Sequence, residues 1–131
     1  MKKDISNLIE EAKKAAGNAK ALYSKFPVGA ALLSKTNKVY LGCNIESSSY
    51  GLSMCAERVA LFKALSENEL NFDSIIIYAP KANYCPPCGA CRQLLFDYAP
   101  DLMVILTDGK NYKLYPLKDL LPEAFEQSQL K

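Results

Sequence analysis

The sequence Cys55-Ala56-Glu57-Arg58, together with the later stretch Pro87-Cys88-Gly89-Ala90-Cys91-Arg92-Gln93, indicates the centre around which this chain is organised. The two cysteines of the second stretch are three residues apart at a predicted helix start, a spacing at which two thiols can bind one ion. The cysteine of the first stretch also lies at a predicted helix start and can supply a third thiol. Glu57 follows it by two residues and offers a carboxylate that can transfer protons. The sequence therefore predicts a metal site with its own acid and base.

Three thiolates form a soft ligand set that favours zinc, and a fourth position left open to water is typical of a catalytic zinc site. Cys43 and Cys85 could in principle close that position, but a closed site would leave Glu57 without a task. Three thiolates on a divalent ion carry a net negative charge. We therefore expect Arg58 to offset it by donating to the sulfurs, with Arg92 as a weaker candidate for the same role.

The composition favours a small-molecule protein. The chain has 131 residues, 50% of them hydrophobic, and a formal net charge of +2. This length predicts a single domain over residues 1–131 with a buried core. Lysine and arginine are scattered among aspartate and glutamate without a basic stripe, which argues against a nucleic acid polymer as partner.

The N-terminal residues do not resemble a signal peptide, because charged residues 2–4 lead into a helical pattern rather than an apolar run. We therefore expect a cytoplasmic protein with no membrane association. The five cysteines are then ligands or packed thiols rather than disulfide partners. Histidine is absent, so any catalysis must depend on carboxylates and thiolates.

Hydrophobic periodicity predicts an alternation of helices and strands. A first helix over 5–16, with Asp4 as its cap, precedes two strands over 28–33 and 39–44. A helix over 54–65 follows, expected to be buried on all sides. The remaining elements are a strand over 73–79, a helix opened by residues 85–87, strands over 102–107 and 112–115, and a helical turn over 117–121. The third helix is expected to turn Cys88, Cys91, Leu94, Leu95 and Tyr98 inward.

This order predicts an α/β fold. Helices would cover both faces of a central sheet of about five strands, giving a three-layer α/β/α sandwich. We expect the sheet to be mixed, with right-handed strand-helix-strand crossovers.

The sequence resembles the cytidine deaminases, in particular the short type with three cysteine ligands. The resemblance covers nearly the whole chain. Besides the two stretches quoted above, it includes Tyr23-Ser24-Lys25-Phe26-Pro27-Val28-Gly29-Ala30, Cys43-Asn44-Ile45-Glu46 and Leu120-Leu121-Pro122. Cys85 departs from the family pattern, because a residue such as serine is expected there.

The resemblance implies hydrolytic deamination of cytidine and 2′-deoxycytidine to uridine and 2′-deoxyuridine with release of ammonia, a reaction of pyrimidine salvage. One Zn²⁺ per subunit would be held by Cys55, Cys88 and Cys91, and hydroxide on the zinc would attack C4 of the base. Glu57 would be the proton shuttle.

The resemblance also implies how the nucleoside is held. Phe26 would pack against the pyrimidine, Asn44 and Glu46 would bind the ribose 3′-hydroxyl, and the backbone of Ala56 would hydrogen-bond to the base. Short members of the family form homotetramers whose active sites are completed by neighbouring subunits. Tyr50 and Phe125 are the residues expected to make that contribution.

Other interpretations of the same residues stay open at this point. The cysteines could form a closed structural zinc site in a non-catalytic binding module, or the Cys88-Gly89-Ala90-Cys91 stretch could be a redox pair. Asn44 and Glu46 could simply close a turn, and Phe26 could belong to the core. Within the enzymes, the blasticidin S deaminases act on a different aminopyrimidine nucleoside. The Asn44-Ile45-Glu46 stretch and Arg58 favour cytidine.

Overall fold

The computed structural model describes residues 3–130, so residues 1, 2 and 131 of the predicted domain lie outside the described part. The helices are α1 (Ile5–Ala16), α2 (Ala56–Ser66), α3 (Gly89–Tyr98) and α4 (Leu117–Leu120), with 3₁₀ turns at Tyr50–Leu52 and Gln127–Leu130. The strands are β1 (Gly29–Ser34), β2 (Val39–Cys43), β3 (Phe72–Tyr78), β4 (Met103–Thr107) and β5 (Tyr112–Pro116). None of the helices described is long and apolar enough to cross a membrane.

The five strands form one mixed sheet in the order β2-β1-β3-β4-β5. β1 is antiparallel to both β2 and β3, and β5 is antiparallel to β4. β3 and β4 are parallel, which requires a crossover, and α3 provides it. The predicted α/β class and the mixed five-stranded sheet are confirmed.

Helices cover both faces of the sheet. On one face, α1 packs through Leu8, Ile9 and Ala12 against alternate residues of β1, β3 and β4. On the opposite face, α2, α3 and α4 enclose a larger core that includes Ala60, Leu95 and Leu117. Every residue of β1 is buried because both of its faces are covered. The arrangement is the predicted three-layer sandwich.

The helix starts differ from the sequence prediction at the two cysteine stretches. α2 begins at Ala56 and α3 at Gly89, so Cys55 and Cys88 are the N-caps and have extended backbone conformations. Pro86 and Pro87 lie before α3 rather than in its first turn. Cys85 and Pro86 each precede a proline, and a residue in that position disfavours the helical conformation.

The predicted burial of α2 and α3 was only partly right. α2 has one buried side and one outward side, where Phe62 is 41% exposed. Of the five residues predicted to point inward, Cys91 and Leu95 are buried one turn apart and Leu94 is partly buried, but Cys88 and Tyr98 are exposed. Cys88 precedes the helix as its cap, so the helical periodicity used to place it does not apply there.

A glycine lets α2 lie directly against the sheet. A Cβ atom on Gly42 of β2 would lie 2.2 Å from the backbone oxygen of Ala56 and 2.5 Å from the backbone nitrogen of Ala60. Real side chains do not tolerate such distances, and both neighbours are backbone atoms that cannot rotate away. The contact therefore sets the position of the first turn of α2, which follows Cys55 and contains Glu57.

We predict that Gly42→Ala destabilises the fold by about 2 kcal/mol or more, because the added methyl group forces α2 off the sheet. The free energy of unfolding of the metal-free protein in urea measures this. Gly51→Ala is the matched control, since a Cβ at Gly51 meets no atom within 4 Å. Equal unfolding midpoints for the two variants would contradict the role assigned to Gly42.

Candidate metal centre

Three thiols converge where α2 and α3 begin. Cys55 caps α2, Cys88 caps α3, and Cys91 lies in the first turn of α3. Their Sγ atoms all lie within 4.8 Å of one another, and those of Cys55 and Cys88 are 3.9 Å apart. A tetrahedral ion with Zn–S bonds of about 2.3 Å requires sulfurs roughly 3.8 Å apart. The donor set and its spacing therefore fit zinc.

The cluster contains neither of the other two cysteines. Cys43 lies at the end of β2, and Cys85 lines the nearby cleft, but among residues 3–130 only three thiols come together at this point. Cys85 is half-buried, and burial raises the pKa of its thiol. Three thiol ligands leave a coordination position for another molecule, as in catalytic zinc sites.

The thiols of the metal-free protein share their protons unequally. A hydrogen bond with Cys91, followed by one from Arg58, lowers the pKa of Cys55 to about 5. The hydrogen bond with Cys55, followed by burial, raises the pKa of Cys91. The contacts thus favour the thiolate of Cys55 and the protonated thiol of Cys91. Zinc binding must release that proton.

Arg58 lies against the cluster. Its Nη2 donates a hydrogen bond to Cys55 Sγ at a distance of 3.5 Å. Its buried Nε has no hydrogen-bond partner within the described residues, which leaves the sulfur as the partner that orients the guanidinium. Arg92 was the weaker candidate for this role, but its Nε donates to Pro87 O (2.8 Å) and its Nη1 to Leu120 O (2.9 Å). The geometry therefore directs Arg58, and not Arg92, at a sulfur.

Glu57 is a buried carboxyl beside the thiols. It is only 5% exposed, although it lies in the first turn of α2 one residue beyond Ala56. Burial raises the pKa of Glu57 to about 7. A backbone hydrogen bond opposes this rise, and the negative charge of Cys55 adds to it. A group with this pKa can both accept and donate a proton at neutral pH.

A cleft of about 380 Å³ opens over the cluster, a volume suited to a small ligand. Its lining includes Cys55, Cys88 and Glu57, and also Asn44 and Glu46. The backbone segment at Ala56 also borders it. The structure thus brings most of the sequence-predicted site residues to one surface.

Asn44 and Glu46 hold the loop over residues 23–28. The Asn44 amide accepts from the N–H of Val28 and donates to the carbonyl of Phe26, both at 2.9 Å. Glu46 accepts from the N–H groups of Tyr23 and Ser24, at 2.9 and 3.0 Å, and from the Ser24 hydroxyl. The Ser24 hydrogen bonds lower the pKa of Glu46. Each side chain retains hydrogen-bonding capacity, since a carboxylate offers about four acceptor sites and an amide two donors.

The three aromatic candidates lie in different places. Phe26 is half-buried and is not among the residues that line the cleft. Tyr50, assigned from sequence to a neighbouring subunit, lines the cleft of its own chain and packs edge-on against Tyr23 at 5.9 Å. Phe125 is 55% exposed and lines a separate cavity beside α3. A contribution of Tyr50 or Phe125 to another subunit stays a prediction.

Sequence reasoning missed two parts of the site. Ser53 lines the cleft, and its hydroxyl accepts from the N–H of Ser47, which shapes the preceding loop. Tyr23 and Ser24 anchor Glu46 largely through backbone N–H groups, which no side-chain motif can specify. The Ser24 hydroxyl could have been found, because its position two residues before Phe26 suits a local side chain to backbone hydrogen bond.

Similarity to known proteins agrees with this site. Residues 2–107 match the family described as the cytidine and deoxycytidylate deaminase zinc-binding region. A cytidine deaminase of Sporosarcina psychrophila is 43% identical over 97% of this chain and 95% of its own. The crystal structure of a cytidine deaminase from Burkholderia pseudomallei, also 43% identical, superimposes with a TM-score of 0.90 over 94% of this chain and all of that one. A blasticidin-S deaminase of Bacillus cereus is 33% identical over 80% of this chain and 81% of its own.

We predict that Cys91→Ser lowers zinc content from one ion per chain to a small fraction, because a hydroxyl is a poor ligand for this soft set. Metal analysis of the purified protein after dialysis measures the effect. Cys85→Ser is the matched control and keeps a full complement, since Cys85 lies outside the cluster. Loss of zinc from Cys85→Ser would instead identify a fourth ligand.

Proposed function

This chain belongs to the cytidine deaminase family of zinc-dependent hydrolases, and from that premise we propose that it deaminates free cytidine and 2′-deoxycytidine. The products are uridine or 2′-deoxyuridine and ammonia, as in pyrimidine salvage. The placement of Glu57 carries this proposal: a buried carboxyl, with its pKa raised to about 7, lines the same cleft as Cys55 and Cys88. A structural zinc site has no use for such a group.

Cys55, Cys88 and Cys91 hold the metal in this proposal. Zinc, when bound, supplies the Lewis acidity that makes a water nucleophilic near neutral pH. The three thiolates weaken that effect through their negative charge. The hydrogen bond from Arg58 to Cys55 draws charge away from the sulfur and offsets it.

Glu57 moves the protons of the reaction. Its carboxylate takes a proton from the attacking water and delivers it to N3 of the pyrimidine as the new C–O bond forms at C4. It then passes the remaining hydroxyl proton to the 4-amino group. The C4–N bond breaks, ammonia leaves, and the carbonyl of uridine forms. A single carboxyl can perform both transfers because burial raises its pKa toward neutrality.

The cleft offers groups for the nucleoside. The free donor of Asn44 and the free acceptor site of Glu46 suit a ribose 3′-hydroxyl, which both donates and accepts. The backbone at Ala56 is assigned to the base, where it borders the cleft. Phe26 is assigned to the pyrimidine face: its ring does not line the cleft, but its carbonyl accepts from the amide of Asn44, which does.

We assign the active form as a homotetramer in which residues 1–131 of each subunit fold as one domain. Exposed Phe125, and Tyr50 at the rim of the cleft, supply the contacts between subunits. A cytoplasmic location suits a site built from free thiols, because reducing compartments keep cysteines available for metal.

Deamination of another aminopyrimidine nucleoside is the second candidate, and the likeness to a blasticidin-S deaminase supports it. The higher identity to cytidine deaminases and the polar pair of Asn44 and Glu46 at the cleft favour cytidine. The ultraviolet change of cytidine incubated with the zinc-loaded protein tests the proposal. No conversion at full zinc occupancy would refute cytidine as the substrate.

We predict that Glu57→Gln keeps the fold and the zinc but lowers turnover of cytidine at least ~100-fold, because the amide cannot accept the proton of water. Turnover by the variant and its zinc content are measured together. Glu10→Gln is the control, since Glu10 is an exposed residue of α1. Survival of turnover in Glu57→Gln would remove the proton-shuttle role.

We predict that cytidine 3′-phosphate is turned over much more slowly than cytidine. A phosphate at this position brings negative charge against the Glu46 carboxylate, whose pKa is lowered and which is therefore ionised at pH 7. The two substrates are compared at equal concentrations by kcat/KM. Equal values would show that Glu46 does not face the 3′ position. The same repulsion disfavours nucleic acid polymers, which carry a phosphate there.

A further inference from the structure

The loop that presents Cys88 is anchored on its helix side, where the Cys88 carbonyl accepts from the N–H of Arg92 at a distance of 3.0 Å, but it has fewer anchors on its proline side. Cys88 is the exposed member of the three-cysteine cluster, so packing does not fix it. Pro86 and Pro87 precede it, and neither has a backbone N–H with which to anchor the loop. Pro87 can therefore form a backbone hydrogen bond only through its carbonyl. Such a bond can hold the adjacent metal ligand Cys88 in place.

Arg92 uses that carbonyl. It lies one residue beyond the ligand Cys91 in α3, and its Nε donates to Pro87 O over 2.8 Å. Its Nη1 reaches in another direction and donates to Leu120 O, at the end of α4, over 2.9 Å. One rigid, planar guanidinium therefore joins the ligand loop to the C-terminal segment.

A second side chain of α3 continues this attachment. Gln93 Nε2 donates over 3.0 Å to the carbonyl of Phe125, farther along the C-terminal segment. Leu117 of α4 is buried in the core that also contains Leu95 of α3. The C-terminal segment is therefore attached to the same helix that supplies two of the three thiols.

We propose that Arg92 is a positioning residue that couples zinc retention to the order of residues 117–130. Its two bonds fix the Cys88 loop against α4, so a loosened C-terminal segment (residues 117–130) weakens zinc binding and thereby speeds the loss of zinc. By thermodynamic reciprocity, bound zinc orders the C-terminal segment. The proposal rests on the three-cysteine zinc site of the proposed function. It links that site to Phe125, because Gln93, the residue after Arg92, donates a hydrogen bond to the Phe125 carbonyl.

The test uses Arg92→Met, which keeps an unbranched side chain but removes both donors. We expect zinc transfer to a chromogenic chelator to be about 10-fold faster than from the wild type, the lower range for loss of a group that supports a ligand. We also expect zinc to slow amide hydrogen exchange over residues 117–130 in the wild type and not in the variant. A merely structural role would raise exchange throughout the chain without abolishing its zinc dependence.

Lys118→Met is the matched control. It removes a cation from α4 itself, but Lys118 is exposed and pairs with Asp101 on the surface. It should leave both zinc transfer and zinc-dependent exchange as in the wild type. If Arg92→Met does not fold, Arg92→Lys serves instead. It keeps the charge but has one nitrogen and cannot make both bonds, so faster zinc transfer is again expected.

The proposal would be overturned if a folded Arg92 variant transferred zinc at the wild-type rate. It would also be overturned if zinc did not change amide hydrogen exchange over residues 117–130 in the wild type. Neither measurement uses a substrate. Failure of this coupling therefore leaves the deaminase assignment intact, and failure of cytidine turnover leaves the coupling result standing.

Discussion

The close contact between α2 and β2 at Gly42 is the constraint on which the site depends. It lets the backbone of α2 lie against the sheet, with Ala56 and Ala60 directly over the glycine. The first turn of α2 is thereby fixed relative to the core. The parallel pairing of β3 and β4 brings α3 back onto the same face as α2. Two helix N-termini then meet, and their caps are cysteines.

Meeting helix N-termini favour negative charge, because their unpaired N–H groups and their dipoles point at the site. A cluster of thiolates is therefore more stable at helix N-termini than at helix C-termini or beside the middle of a helix. Burial, by contrast, disfavours the charged form of the Glu57 carboxyl, and this effect outweighs the backbone hydrogen bond that lowers its pKa, so the pKa is raised. The packing that brings the three thiols together therefore also buries Glu57, the residue proposed to carry protons.

The polar residues of the cleft support a neighbouring loop and also line the space proposed for the nucleoside. Asn44 and Glu46 organise the loop over residues 23–28 through hydrogen bonds to its backbone, and both also face the cleft. The interpretation of these residues as turn-forming and their interpretation as ligand-binding are therefore compatible. Arg92 similarly serves the backbone, where it joins Pro87 and Leu120 rather than a sulfur.

The sequence by itself determined the element types, the mixed sheet and the metal-ligand candidates, because hydrophobic periodicity and the spacing of Cys88 and Cys91 are local properties. Only the tertiary structure decided that Cys55, 33 residues before Cys88, joins them while Cys85 does not. It also decided that Arg58 faces a sulfur whereas Arg92 faces two carbonyls. These outcomes depend on how α2, α3 and the C-terminal segment pack on one sheet face, and side-chain direction after packing is not encoded in any local pattern.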